Sequence, residues 1–154
     1  MSRTLFEFSL PDEDATNALA AQIAPYLSVG DTLLLEGDIG AGKSAFARAL
    51  IRARLGRMED VPSPTFTLVQ TYEDDAGDLW HCDLYRLTHP DDALELGLDE
   101  AFETAICLIE WPDRLGDAAP EAALTLAFAA QEDQHHVTIS GPDAWADRLR
   151  GLDA

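Results

Sequence analysis

One short segment constrains the fold of this chain more than any other. Residues 37–44 place two glycines, a lysine and a serine in the spacing G-x-x-x-x-G-K-S. An apolar run, residues 32–36, precedes the segment, and a helical pattern from Ala45 to Leu55 follows it and ends at Gly56. This context predicts a buried strand, a tight loop and a helix, the unit in which backbone N–H groups surround phosphate oxygens.

Each residue type in this loop has a chemical reason to be there. Glycines adopt backbone conformations closed to other residues, and the helix that follows adds its positive N-terminal end. Lys43 is placed to reach the β- and γ-phosphates, and the Ser44 hydroxyl is placed to ligate Mg²⁺. Lys43 is also the only lysine in the chain. We therefore predict a nucleotide bound by Asp38, Ile39, Gly40, Ala41, Gly42, Lys43 and Ser44.

A phosphate loop of this kind needs a second acidic group at the end of a neighbouring strand. Glu110 directly follows the apolar run 105–109 and is the best candidate. Asp83 alternates with apolar residues on a strand predicted from Leu79 to Leu87, where aspartate is unusual. Residues 113–116 spell the Asp-x-x-Gly motif of GTPases, but a guanine-reading Asn-Lys-x-Asp motif would need a second lysine. The sequence therefore favours ATP over GTP.

Two further segments leave alternatives open. Thr65 lies in a Ser-Pro-Thr-Phe segment after the loop helix, where many such proteins carry a switch that senses the γ-phosphate. The alternative is an ordinary Ser-Pro turn that leads into a strand. Four arginines lie on or just after the loop helix and form either a solvated face or a docking patch for an acidic partner or tRNA. They are Arg48, Arg52, Arg54 and Arg57.

The remaining patterns predict an α/β layered fold with a mixed sheet. Strands are predicted at residues 4–10, 66–72, 79–87, 105–109, 122–130 and 135–140, and helices after Pro11, at 99–104 and at 142–149. The pair His135-His136 has no other ligands nearby in the sequence, so no metal site is expected there.

Together these segments resemble the TsaE family (older name YjeE), small bacterial ATPases of tRNA threonylcarbamoyladenosine synthesis. The matching segments follow one another in the family's order, at residues 37–44, 63–69, 81–87, 95–97 and 109–112. The runs Asp-Leu-Tyr-Arg-Leu at 83–87 and Glu-Trp-Pro at 110–112 are the most specific of them. Ser44 stands where the family commonly has threonine, and either hydroxyl can ligate Mg²⁺.

The resemblance implies a P-loop NTPase-like, three-layer domain with a central mixed, mainly parallel sheet, spanning residues 1–154. It implies catalytic roles for Lys43, Glu110, Asp83 and Thr65, and Mg²⁺ binding by Ser44, Glu110 and Asp83. Trp111 would lie beside the bound nucleotide. The implied activity is a Mg²⁺-dependent ATPase, slow on its own. It would work with TsaB and TsaD on the tRNA adenosine next to the anticodon.

Charge and composition limit the partners and the location that we expect for the chain. The 29 acidic and 10 basic side chains give a formal charge of -19, which disfavours autonomous binding to DNA or RNA, so we expect contact with tRNA only through partners. The longest apolar run, residues 122–130, is too short to span a membrane, and the N-terminus has no apolar signal region. Cys82 and Cys107 fit buried, reduced thiols in a cytoplasmic protein.

Two other functions compete with the ATPase hypothesis. A small-molecule kinase with a P-loop fold usually carries a mobile lid with arginines. Arg114 is the only arginine between Leu87 and Arg148, so such a lid is hard to place. A regulatory nucleotide-binding module without turnover is disfavoured because Lys43, Ser44 and Glu110 are all present.

Overall fold

The computed structural model describes residues 3–38, 40–56, 61, 69–74, 77–89 and 91–152. The strands are β1 (Arg3–Leu10), β2 (Thr32–Glu36), β3 (Val69–Asp74), β4 (Gly77–Asp83), β5 (Ala105–Glu110), β6 (Leu124–Gln131) and β7 (Gln134–Gly141). The helices are α1 (Glu13–Ile23), α2 (Lys43–Leu55), α3 (Asp91–Glu95), α4 (Leu98–Thr104) and α5 (Asp143–Arg148). Two 3₁₀ segments, Ala24–Tyr26 and Pro112–Ala118, complete the described elements.

The strands form one seven-stranded mixed sheet in the order β1-β7-β6-β2-β5-β4-β3. Its centre is parallel, because β2 pairs in parallel with both β6 and β5, and β5 pairs in parallel with β4. The two edges are antiparallel: β3 pairs with β4 in a hairpin, and β7 joins β6 to β1. The mixed sheet predicted from the sequence is confirmed, with its parallel pairing in the centre.

Helices cover both faces of this sheet, as the three-layer prediction requires. Leu33 and Leu35 of β2 belong to the apolar core beneath α1 and α2. Leu34, which points to the opposite face, belongs to a second core with residues of α3 and α4. A strand buried on both faces reads as a continuous apolar run, which is why β2 was recognisable in the sequence. Within the described ranges, no helix has the length and apolar character needed to span a membrane.

The strand predicted from Leu79 to Leu87 is wrong at its C-terminal end. β4 ends at Asp83, and the next residues form turns. The Asp83 carboxylate accepts a hydrogen bond from the Tyr85 N–H at 3.0 Å, a local side-chain contact that favours a turn over a continued strand. Asp83 is therefore the last residue of β4, and its side chain lies at the sheet edge.

The boundaries of most other predicted elements agree with the structure to within about two residues, the usual uncertainty at element ends. The sequence patterns missed α3 and the 3₁₀ segment Pro112–Ala118, both of which are short. The predicted strand 66–72 is only partly covered by the structure, because residues 66–68 lie outside the described residues.

The two cysteines are buried and not joined in a disulfide, as the sequence suggested. Burial raises the pKa of the Cys107 thiol to about 12 and also raises the pKa of Cys82.

Thiol reagents react with the thiolate form of cysteine. The two thiols of the native protein at mildly alkaline pH should therefore react about 10³-fold or more slowly than those of the chain unfolded in guanidinium chloride. Labelling kinetics with a chromogenic disulfide reagent test this. Equal rates in the native and unfolded samples would contradict the enclosed position of both thiols.

Candidate functional site

The carboxyl ends of three neighbouring parallel strands meet at one edge of the sheet. β2 continues directly into the glycine-rich loop, β5 ends at Glu110, and β4 ends at Asp83. In the β4–β5 register Asp83 pairs with Glu110, and in the β2–β5 register Leu35 pairs with Glu110. Ligands of open α/β sheets bind at such edges, beyond the carboxyl ends of the strands. The fold therefore brings the loop and both predicted carboxylates together.

The loop backbone has the conformations that its glycines allow. Gly37, Gly40 and Gly42 all have positive φ, at 135°, 83° and 112°. Helix α2 begins at Lys43, and Gly42 at its N-cap offers no side chain to bond the first N–H groups. Those N–H groups remain for a ligand, and the positive end of the helix favours an anion there. This is the arrangement that the spacing of the loop predicted.

Ser44 and Glu110 are held in direct contact. The Ser44 hydroxyl donates to Oε1 of Glu110 at 2.9 Å, although the two residues are far apart in the chain. Glu110 is 2% exposed and Asp83 is 6% exposed. The hydroxyl and the carboxylates are oxygen donors of the kind that Mg²⁺ prefers.

A histidine that sequence reasoning did not single out completes this arrangement. His81 lies on β4 two residues before Asp83, so both side chains point to the same face. Its Nε2 lies 2.6 Å from Oε2 of Glu110, and the His81 side chain is buried. The signal that could have found it is the two-residue spacing from Asp83 on the same strand.

Lys43 is covered in this structure. Its Nζ donates to the Gly37 carbonyl and lies 3.4 Å from the centre of the Trp111 ring. Trp111 has a left-handed backbone with φ of 58°, and its ring packs against Tyr85 at 4.9 Å. A cation above an indole face is attracted by the ring's electrostatics. Trp111 therefore lies beside the loop, and its predicted place beside a bound nucleotide stays a prediction.

The electrostatic environment of Lys43 contains two opposing effects. Burial disfavours the ammonium form and lowers the pKa of Lys43, and the nearby carboxylates of Glu110, Asp83, Asp38 and Asp113 oppose this. The effect of burial is larger, so the pKa lies below its ordinary value. Anionic phosphate oxygens would add to the effect of the carboxylates and favour the charged form.

Two cavities adjoin the loop. The first, of about 550 Å³, is lined by Lys43, Ser44, Asp83, Glu110 and Trp111 among others. The second, of about 560 Å³, contains the acidic residues Asp12, Glu13, Glu132 and Asp133. Both include Gly42, Ala45 and His135, so they meet at the start of α2. Sequence reasoning considered His135 only as a metal ligand and missed its position next to Gly42.

Some predicted site residues cannot be placed. Thr65, Ile39 and Arg57 lie outside the described residues. Of the other arginines predicted as a patch, Arg54 donates to the carbonyls of Ala24 and Leu27 at 2.9 Å each, and so holds the end of α1. Arg48 lines the first cavity, and its Nε donates weakly to the Val61 carbonyl at 3.4 Å.

Comparisons with known proteins agree with this geometry. A family profile described as "Threonylcarbamoyl adenosine biosynthesis protein TsaE" matches residues 10–138. The chain belongs to the TsaE family. Its relatives of that name include one from Rickettsia bellii, 36% identical over 80% of this chain and 86% of the relative. Another is from Bacillus subtilis, 37% identical over 84% of this chain and 80% of the relative.

A longer relative and a solved structure extend the comparison. The TsaE protein of Rickettsia felis is 42% identical over 104 residues, and the match covers 68% of this chain but 61% of that protein. The crystal structure of Bacillus subtilis YdiB superposes with a TM-score of 0.79 at 30% identity, covering 97% of this chain and 93% of YdiB. TsaE membership and this likeness support the P-loop-like fold and identify the glycine-rich loop as a P-loop.

The residues at the sheet edge suit a metal ion whose coordination shell is completed by a bound nucleotide. Among residues with described side chains, no three His, Cys, Asp or Glu groups gather as a preformed metal site in this TsaE chain. Mg²⁺ commonly binds in this way, through one or two carboxylates, with phosphates and waters among its other ligands. The two carboxylates of Glu110 and Asp83, next to the Ser44 hydroxyl, fit that requirement.

The loop geometry predicts that its glycines differ in sensitivity. An added Cβ at Gly37 would lie 2.4 Å from the Phe128 carbonyl oxygen of β6, whereas one at Gly40 meets nothing within 4 Å. Both have positive φ, so both variants bear backbone strain. Gly37→Ala should therefore lower the free energy of unfolding by about 3 kcal/mol, and Gly40→Ala by about 1 kcal/mol. Chemical denaturation of the two variants measures this. Equal losses would contradict the close approach of β6.

Proposed function

We propose that this chain is a Mg²⁺-dependent ATPase. In this proposal it serves threonylcarbamoyladenosine modification of tRNA next to the anticodon. It would work with TsaB and TsaD, which would supply the contacts with tRNA. The observation that carries the proposal is the half-buried Ser44–Glu110 contact beside Lys43, at the N-terminus of the loop helix. The names of the relatives support the pathway, and the loop supports the nucleotide.

The phosphates of ATP would occupy the cavity above the loop. Backbone N–H groups of residues 38–44 would bond their oxygens, and Lys43 would move from the Gly37 carbonyl toward the β- and γ-phosphates. Ser44, Glu110 and Asp83 would hold Mg²⁺. The metal would supply Lewis-acid stabilisation of the negative charge that develops on the phosphates.

The second cavity would receive the sugar and the base. It meets the first cavity at Gly42, Ala45 and His135 and extends from there to the start of α1 and the turn between β6 and β7. Its carboxylates, among them Asp12 and Asp133, would repel phosphates and can accept hydrogen bonds from hydroxyl and amino groups. The nucleotide would thus be oriented by charge as well as by the loop.

Hydrolysis would be gated by partners: it would be slow in the isolated chain and faster once TsaB and TsaD bind. Thr65, Asp83 and Glu110 would form the gate, that is, the residues through which the partners act on the reaction. Arg48 lines the cavity but its Nε faces the Val61 carbonyl rather than the loop. Arg86 and Arg114 follow the two site carboxylates in sequence and are exposed. A partner that orders one of these segments could bring an arginine to the phosphates, which accelerates other P-loop proteins about 10³- to 10⁵-fold.

Lys43→Ala tests the catalytic centre. Because the lysine is the cation nearest the loop, its loss should lower ATP hydrolysis by about 10²- to 10³-fold, as the loss of one preorganised charge stabiliser does. The variant should remain folded, because the Lys43 ammonium contacts the Gly37 carbonyl and the Trp111 ring at the loop and its side chain forms no part of either apolar core. Steady-state phosphate release and a thermal melt measure both effects. A variant with near-normal turnover would mean that the loop is not the catalytic centre.

Glu110→Gln tests the gate. The amide is similar in shape and removes one charge, so ATP binding at saturating Mg²⁺ should persist while the rate stimulated by TsaB and TsaD is lost. The measurement compares ATP affinity and turnover of the parent and the variant, each with and without purified partners and tRNA. Fast hydrolysis by the isolated parent, or an unchanged stimulated rate in the variant, would contradict gating by partners.

A further inference from the structure

The His81–Glu110 contact is enclosed by the fold. The two side chains are 1% and 2% exposed, and Nε2 of His81 lies 2.6 Å from Oε2 of Glu110. A carboxylate oxygen only accepts hydrogen bonds, so Nε2 is the donor. A buried hydrogen bond of this kind is costly to break without a replacement. Glu110 is therefore restrained at one of its two oxygens.

Two contacts together fix the orientation of the carboxylate plane. Oε2 is occupied by His81, and Oε1 accepts from the Ser44 hydroxyl at 2.9 Å. Rotation of the carboxylate would break both contacts. Glu110 is thus oriented with Oε1 next to the hydroxyl that would also ligate Mg²⁺.

His81 is itself on a rigid support. Its backbone lies on β4 with strands on both sides, paired with Gln70 of β3 and Leu108 of β5. A ring that is 1% exposed and bonded to Glu110 cannot touch a nucleotide in the cavity. Any influence of His81 on the site must therefore pass through Glu110.

We propose that His81 is a positioning residue that fixes the Glu110 carboxylate for the divalent cation and so sets the affinity of the nucleotide site for Mg²⁺. The inference rests on the proposed function, because it requires a metal–nucleotide complex at the P-loop. Partners that orient a metal-ligating carboxylate typically change metal affinity by about 10- to 100-fold when they are removed.

Binding of ADP to the isolated chain, measured by calorimetry with Mg²⁺ and again with EDTA, separates the metal from the nucleotide. In His81→Leu, which has no donor, we expect the Mg²⁺ concentration needed for tight ADP binding to rise by about 10- to 100-fold. ADP affinity in EDTA should stay within about two-fold of the parent, because the loop that holds the phosphates is unchanged. In His81→Gln the amide can donate to Glu110, so most of the Mg²⁺ affinity should return.

Leu79→Val is the matched control. Leu79 lies two residues before His81 on the same face of β4, is fully buried and has an aliphatic side chain that can neither donate nor accept a hydrogen bond. The substitution should destabilise the fold without changing the Mg²⁺ requirement. If it weakens Mg²⁺ binding as much as His81→Leu does, the effect of His81 is one of packing and the proposal is wrong.

The remaining outcomes are also distinct. Parent-like Mg²⁺ affinity in His81→Leu would overturn the positioning role and leave the proposed function intact. A parent protein whose ADP affinity is the same in Mg²⁺ and in EDTA would overturn the metal-dependent function and this inference with it. If His81→Leu does not fold, His81→Asn replaces it; its shorter amide does not reach Oε2, so it should lose Mg²⁺ affinity where His81→Gln retains it.

Discussion

The parallel pairing of β5 with both β2 and β4 is the constraint on which the site depends. Parallel strands place their carboxyl ends at one edge, and here those ends are the P-loop, Glu110 and Asp83. A slip of one residue in the β4–β5 register would turn His81 and Asp83 to the opposite face. The apolar residues between the polar ones prevent such a slip, because Leu79 and Cys82 belong to different cores. The packing of the sheet and the chemistry of the site therefore share one determinant.

Where the sequence carried a strong local signal, it predicted the structure well. The P-loop, β2, α2 and β5 could be predicted because a glycine spacing and continuous apolar runs are properties of adjacent residues. The predicted end of β4 was wrong because the strand stops at a turn, in which the Tyr85 N–H donates to the Asp83 carboxylate. Hydrogen bonds between distant residues, such as His81 with Glu110, follow from strand register, which one sequence does not reveal. The contact of Trp111 with Lys43 also joins distant residues and was not predicted; the family resemblance implied only a position beside the nucleotide.

The contacts of Lys43 suggest how nucleotide binding would change the loop. The ammonium contacts the Gly37 carbonyl of the loop and the face of the Trp111 ring, which follows β5. Neither partner carries a full charge, so a phosphate can replace them with a stronger, charge-assisted contact. The anionic oxygens would then offset the effect of burial, which lowers the pKa of Lys43, and would favour the charged ammonium form. The Trp111 ring would lose its cation, so nucleotide binding and the position of Trp111 are expected to be coupled.

The strong negative charge of the chain gives Mg²⁺ a second role in this scheme. A formal charge of -19 and the carboxylates around Lys43 would repel a metal-free nucleotide, and one lysine cannot balance three phosphates. In the proposed function, a divalent cation would lower the charge of the nucleotide before it meets this surface and would then neutralise Glu110 and Asp83 once it is bound. Asp83 and Glu110 would otherwise face the phosphates as unneutralised anions. Charge would thus favour the metal complex in addition to ligand geometry, and the orientation of Glu110 would matter more here than in a basic protein.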